Sequence, residues 1–335
     1  MIKNILLSAV FVCASAFLFS CAHVAAKKNP DGIYVAKAKV ADRKIIVTDE
    51  KGKKARYIIK GVCYAPDIAG LSYWQHYKTD LSLIKNIGAN SIRTYRPLGA
   101  YFEDGSLNKT QTLQILDAFL EEGITVAAGF SYEDMRSEGL MEQYLEMFGN
   151  HPAILMIVLG NEYNYHYDQW FTKKEWLKKL KLAVKTAKKL APNKIVATVH
   201  GELPSKKEYK KYVKLGLNLV MTNIYRGSNF GFAKDDWYSF AKNMPWVLGE
   251  FGRASVDADG SNAQRAQEAA LETLIRSMES GYLFMLIDDP AKGSYEKTPG
   301  AGMENSFGVY DENRQPKEAV QTVKEEYNKI KGVIY

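Results

Sequence analysis

Residues 154–162 read ILMIVLGNE, from Ile154 to Glu162. Six apolar side chains in succession leave no polar face, as expected of a strand buried on both sides. A run of that length suits a strand better than a helix. Seven further runs share its character: Ile59–Tyr64, Ser91–Tyr95, Ile124–Phe130, Ile195–Val199, Leu217–Tyr225, Trp246–Gly249 and Tyr282–Ile287. Helical patterns separate them, the clearest being the stripe Leu177, Leu180, Val184, Ala187, Ala191, whose opposite face carries Lys178, Lys181, Lys185 and Lys188. Such a lysine face reads as the solvated side of an outer helix. Helical spacing also covers 77–86, 111–122, 140–148, 206–214, 263–280 and 317–330, and Gly88 suits the C-terminal cap of the first of these. Eight strands alternating with helices predict an α/β fold, a (β/α)8 barrel, whose usual length is about 250 residues. A doubly wound open sheet would bring a G-x-G-x-x-G loop after its first strand. Here that loop reads CYAPD, residues 63–67. Before the first strand, 44–48 and 56–59 flank the turn Asp49–Gly52 and predict a β-hairpin covering the bottom of the barrel. One domain, 33–335, is expected.

The N-terminus reads as an address. Ile5–Phe19 is an apolar or small run preceded by one charge, Lys3, which matches a secretory leader over 1–20. It ends in Leu18-Phe19-Ser20-Cys21, resembling a bacterial lipobox, so Cys21 is the expected lipidation site and 21–32 a tether. The expected location is the bacterial cell envelope, lipid-anchored at the outer membrane, or otherwise periplasmic or secreted. The 335 residues have 46% hydrophobic and 25% charged content, which excludes a disordered chain and a polytopic membrane protein. With 45 basic and 38 acidic residues the net charge is +7, too small a surplus to point to nucleic acid. Three cysteines make no disulfide framework. Twenty-one Tyr, 14 Phe and 5 Trp allow a surface that stacks on flat ligands, sugars among them.

In a barrel the active site lies where the strands end. Two isolated carboxylates stand there, Glu162 after ILMIVLGN and Glu250 after PWVLG. Strands four and seven lie on opposite sides of a small barrel, so inward side chains meet across a sugar ring. Two carboxylates so placed suit a retaining glycosidase, in which the groups are about 5–5.5 Å apart. No His or Cys cluster suggests a metal, and no cofactor is expected.

These residues resemble glycoside hydrolase clan A over most of the chain after residue 55. Leu159–Glu162 resembles its acid/base motif on strand four, and Val247–Gly252 its nucleophile motif on strand seven. Lys60-Gly61-Val62, Asp80 and Ile87–Tyr95 resemble the opening of the catalytic domains of families 2 and 72. Family 72 acts on β-1,3-glucan as a glucanosyltransferase. The resemblance implies Glu162 as acid/base, Glu250 as nucleophile, Asn161 as the ligand of the sugar 2-OH, Arg93 as the arginine that keeps the nucleophile charged, and Tyr225 as its neighbour on strand six. An arginine favours the ionised form of one carboxyl; burial beside a second carboxylate favours protonation of the other. Clan members often carry a Trp on strand eight. This strand reads Leu283-Phe284-Met285-Leu286, leaving Phe284 or Met285 in that place.

Tyr64, Tyr163 and His200, near strand ends, are further expected substrate contacts, and Trp170 offers a ring to stack on sugar. The expected activity is a retaining β-glycosidase acting on an oligo- or polysaccharide such as a β-glucan. The same glutamates would serve a transglycosylase, and a glycan-binding lipoprotein without turnover is the reading from another class.

Overall fold

The structure is a computed structural model that describes residues 33–66, 72–136, 139–289, 297–298 and 302–335. The expected leader 1–20, Cys21 and the tether 21–32 lie outside the described residues. Eight parallel strands close into a barrel. In order they are Lys60–Cys63, Ser91–Arg93, Thr125–Phe130, Ile154–Leu159, Ile195–Gly201, Leu219–Asn223, Leu248–Phe251 and Gly281–Leu283. All eight apolar runs of the sequence supply one strand each. The fourth is buried along its whole length, as its unbroken apolar run requires.

The outer helices match the helical patterns closely. The lysine-rich pattern forms Lys173–Leu190, burying Trp176, Leu180, Ala183, Val184 and Ala187. Thr172 and Glu175 close a reciprocal capping box at its start. The first helix, Tyr73–Asn86, ends at Gly88, whose φ of +75° and N–H bond to the Lys85 carbonyl fulfil the cap expected of it. One helix, Ala233–Phe240, has no counterpart in the sequence reading. Its eight residues are too few for a clear apolar stripe.

The expected hairpin is part of a larger sheet. Strands Lys37–Ala41, Lys44–Thr48 and Lys54–Tyr57 run antiparallel, and Val333–Ile334 adds a fourth beside the last of them. The turn is fixed by Asp49, whose carboxylate accepts from the N–H groups of Lys51 and Lys53. The sheet does cover the bottom of the barrel. The Val35 N–H donates to the Pro152 carbonyl and the Ala38 N–H to that of Asn193, both just before barrel strands, and the Tyr57 hydroxyl donates to the Asn90 carbonyl.

Candidate active site

Arg93 ends the second strand with 1% of its surface exposed. Its Nη1 donates to the Glu250 carboxylate and to the Gly249 carbonyl, each at 2.9 Å. Its Nη2 donates to the Asn161 side chain at 2.6 Å. One guanidinium therefore ties strand two to the ends of strands four and seven. Burial works against its charge, but its surroundings, the Glu250 carboxylate and its hydrogen bond among them, more than offset this and raise its pKa.

Glu250 is buried and receives three donors. Beside Arg93, the Tyr95 hydroxyl donates to Oε1 at 2.6 Å and the Tyr225 hydroxyl to Oε2 at 2.9 Å. Burial first, with the neighbouring charge of Glu250, holds both phenols protonated, so both remain donors. The arrangement orients both carboxylate oxygens. Close by, the Cys63 thiol donates to the Gly249 carbonyl at 3.6 Å. Burial pushes this thiol up to about 12, which leaves it a packing residue rather than a nucleophile.

Glu162 is held differently. Its backbone is left-handed, with φ of +53°, an uncommon state for a residue with a side chain. The preceding Gly160 makes the turn: a Cβ there would come within 2.7 Å of Trp176. The Glu162 N–H donates to the Val199 carbonyl at 3.1 Å and its own carbonyl accepts from Tyr165, so the turn is pinned across strand five. Burial, and next the charge of Glu250, push the Glu162 carboxyl up to about 8, against hydrogen bonding from Asn223. The mouth thus holds one carboxyl that keeps its proton beside one surrounded by donors, the division of labour that acid and nucleophile require.

A cavity of about 220 Å³ opens beside this pair, walled by Arg93, Tyr95, Ser131, Asn161, His166 and Trp170 among others. It is smaller than the roughly 300–1,000 Å³ of sites for drug-sized ligands. Trp170 is 64% exposed and stacks on His166 at 3.8 Å with 10° between planes. Phe284 sets its ring edge-on to Tyr95 and Tyr225, at 6.5 and 6.3 Å, and so takes the place beside the tyrosines that the sequence left open between Phe284 and Met285.

Of the expected site residues, Arg93, Asn161, Glu162, Tyr225 and Glu250 converge. Two do not. The Tyr64 hydroxyl donates to buried Asp80 at 3.0 Å and its ring packs on Tyr73 and Phe119, leaving no face for a substrate. His200 turns toward the surrounding helix Lys206–Lys214, edge-on to Tyr212 at 5.9 Å, with Nδ1 bonded to the Glu202 carbonyl. Tyr163 lines the cavity, but its ring is only 7% exposed, is wedged against Trp176 at 4.6 Å and accepts the Tyr132 N–H. It buttresses the wall. Two residues were missed, Tyr95 and Asn223. Asn223 donates to the Asn161 side chain at 3.2 Å and hydrogen-bonds Glu162. Each lies two positions from an expected residue, Arg93 or Tyr225, and therefore shares its face of a strand.

No family model matches the sequence, and no curated protein does. Solved structures do. A GH2 β-galacturonidase from Eisenbergiella tayi bound to galacturonate is 21% identical, with a TM-score of 0.63, over 89% of this chain and 55% of its own. A β-D-glucuronidase from Dictyoglomus thermophilum is 18% identical, TM-score 0.63, over 89% and 54%. The β-glucuronidase of Ruminococcus gnavus is 19% identical, TM-score 0.65, over 88% and 53%. At these identities the likeness is one of fold, a (β/α)8 barrel. The chain spans about half the length of these structures.

Proposed function

We propose that the protein is a retaining β-glycosidase, with Glu250 as nucleophile and Glu162 as acid/base. The observation that carries this reading is the pairing of a carboxylate under three donors with a carboxyl pushed up to about 8 in the same barrel mouth. In the first step Glu250 attacks the anomeric carbon while Glu162 gives its proton to the departing oxygen, leaving a glycosyl ester and an ionised Glu162. Esterification removes the charge of Glu250, one of the causes that raise Glu162. Its loss lowers Glu162 again, so the carboxylate left by the first step stays ionised and takes a proton from water as water cleaves the ester. Asn161, oriented by Arg93 and Asn223, faces the position of a sugar hydroxyl. Trp170 offers an indole at the cavity edge. The fold-level neighbours act on β-uronides by their names, so aryl β-glucuronide and β-galacturonide belong beside β-glucoside and β-glucan oligosaccharides in a substrate panel. Lipidation at Cys21 would place the enzyme at the cell envelope.

The test separates the two glutamates. Glu250→Ala abolishes turnover, because no ester forms. Glu162→Ala loses most of its rate on poor leaving groups yet still forms the ester from an activated aryl glycoside. Azide then rescues the Glu162 variant with retained configuration, and rescues the Glu250 variant with inversion. Retained product from neither variant overturns the proposal. Longer as well as shorter products from oligosaccharides would mark transfer to sugar in place of hydrolysis.

A further inference from the structure

The end of the barrel away from the cavity carries charge that the active site does not use. The four-stranded sheet there turns Ala38, Ile45, Val47, Ala55 and Tyr57 inward, all buried. Its register sets the outer face. Lys37 stands opposite Thr48, and Thr48 opposite Lys54; Lys39 stands opposite Ile46, and Ile46 opposite Arg56. Lys44 shares the face of Ile46 and Thr48, two residues apart along the same strand. Lys37, Lys39, Lys44, Lys54 and Arg56 are all exposed, and no acid lies between them. Among the described residues none of the five has an ion-pair partner. The nearby acids sit at the turns: Asp42, Glu50, and Asp49, whose carboxylate is already occupied by two backbone N–H groups.

Cations two strands apart are about 10 Å from each other, one Debye length at 0.1 M salt, so they repel. Lysines on an edge strand discourage unwanted pairing. That accounts for Lys37 and Lys39, since their strand is at the edge. It does not account for Lys44, Lys54 and Arg56, whose strands are flanked on both sides.

We propose that this sheet face docks on an anionic phospholipid bilayer. Charge complementarity gives the sign. The course of the chain gives the partner. The described chain begins at Ile33 and enters at this end, where the Val35 N–H meets the Pro152 carbonyl. Upstream the sequence has Cys21, the expected lipidation site, 12 positions before Ile33. A link of that length spans at most about 40 Å, which keeps the sheet near any surface that a lipid at Cys21 engages. A basic face adds to a weak hydrophobic attachment the second signal that stable anchoring needs. Ile46, in the middle of the cationic rows, offers a small apolar contact. The catalytic mouth, at the opposite end of the strands, stays open. The inference is independent of the roles assigned to Glu162 and Glu250.

Cosedimentation of the full chain with phosphatidylcholine vesicles, with and without phosphatidylglycerol, tests it. The expected result is at least tenfold stronger partition onto the anionic vesicles at low salt, shrinking as salt rises past about 0.15 M. The variant K37E/K39E/K54E/R56E should lose this preference while keeping its partition onto neutral vesicles, its melting temperature and its turnover of soluble substrate. A milder variant with Gln at the same four positions should lose it in part, and guards against misfolding of the first. Equal partition onto both vesicle types, or a preference that survives the four substitutions, overturns the proposal. So does binding of a soluble polyanion through these residues without binding of vesicles.

Discussion

Three donors on Glu250 invite removal one at a time. A hydrogen bond to a charged group contributes about 1.5–3 kcal/mol, or roughly ten- to a hundredfold in rate where the charge changes during reaction. Tyr95→Phe removes the 2.6 Å bond to Oε1 and leaves the ring in its contact with Phe284. We expect kcat on a good aryl glycoside to fall by that factor with the melting temperature nearly unchanged. Tyr64→Phe is the control. Its hydroxyl serves Asp80 and not the carboxylates, so stability should fall while kcat holds. Activity loss in Tyr64→Phe equal to that in Tyr95→Phe would contradict the positions assigned to both. The acid has its own signature. With Glu162 pushed up to about 8, the alkaline limb of kcat/KM should fall near that pH and be lost in Glu162→Gln.

At the level of elements, one buried carboxylate joins three parts of the chain. Asp80, on the first outer helix, is fully buried; it accepts from Arg314 Nε at 2.6 Å and Nη2 at 3.1 Å, and from the Tyr64 hydroxyl. Arg314→Ala should cost about 3–5 kcal/mol, because it strands a buried charge, and adding Asp80→Asn should recover part of that loss. Chemical denaturation of the two variants measures both. No recovery in the double variant would mean that Arg314 acts through packing alone. Asp80 also marks what the sequence made legible. Its recurrence in the family pattern was visible, its task was not, since one sequence gives no partner for a lone carboxylate. The barrel strands were legible because burial on both faces removes polar residues altogether. Side-chain direction at the strand ends was harder to read. Cys63 faces Arg93 and Gly249, so Tyr64, one position on, must face out. Val199 lies against Gly249, so His200 turns to the helices. The same period of two, counted from Arg93 and Tyr225, would have found Tyr95 and Asn223.

Across the whole molecule, the two ends of the barrel each bury an ionisable group in its neutral form, and their effects on stability run in opposite directions with pH. At the mouth, burial raises Glu162 from 4.5 to about 8. Between those values the folded protein binds more protons than the unfolded chain, so stability falls as pH rises through that window. At the bottom, Lys194 is 4% exposed and donates to the carbonyls of Val35 at 2.7 Å and His151 at 3.0 Å, clamping the entering chain to the barrel. Burial lowers it from 10.5 to about 7. Between about 7 and 10.5 the unfolded chain binds the extra proton, so stability rises with pH there. The His151–Asp117 contact at 3.1 Å, beside the clamp, is common to all the proteins compared. Melting temperatures of the parent, Glu162→Gln and Lys194→Met across pH 5 to 10 separate the two terms. Glu162→Gln should flatten the decline below pH 8 and leave the alkaline rise. Lys194→Met should remove the rise above pH 7 and leave the decline, since a methionine fills the same channel with no proton to lose. Parallel curves for the parent and Lys194→Met would mean that the amine stays charged in the fold, held by its two carbonyls, and that the bottom clamp is an ordinary buried cation.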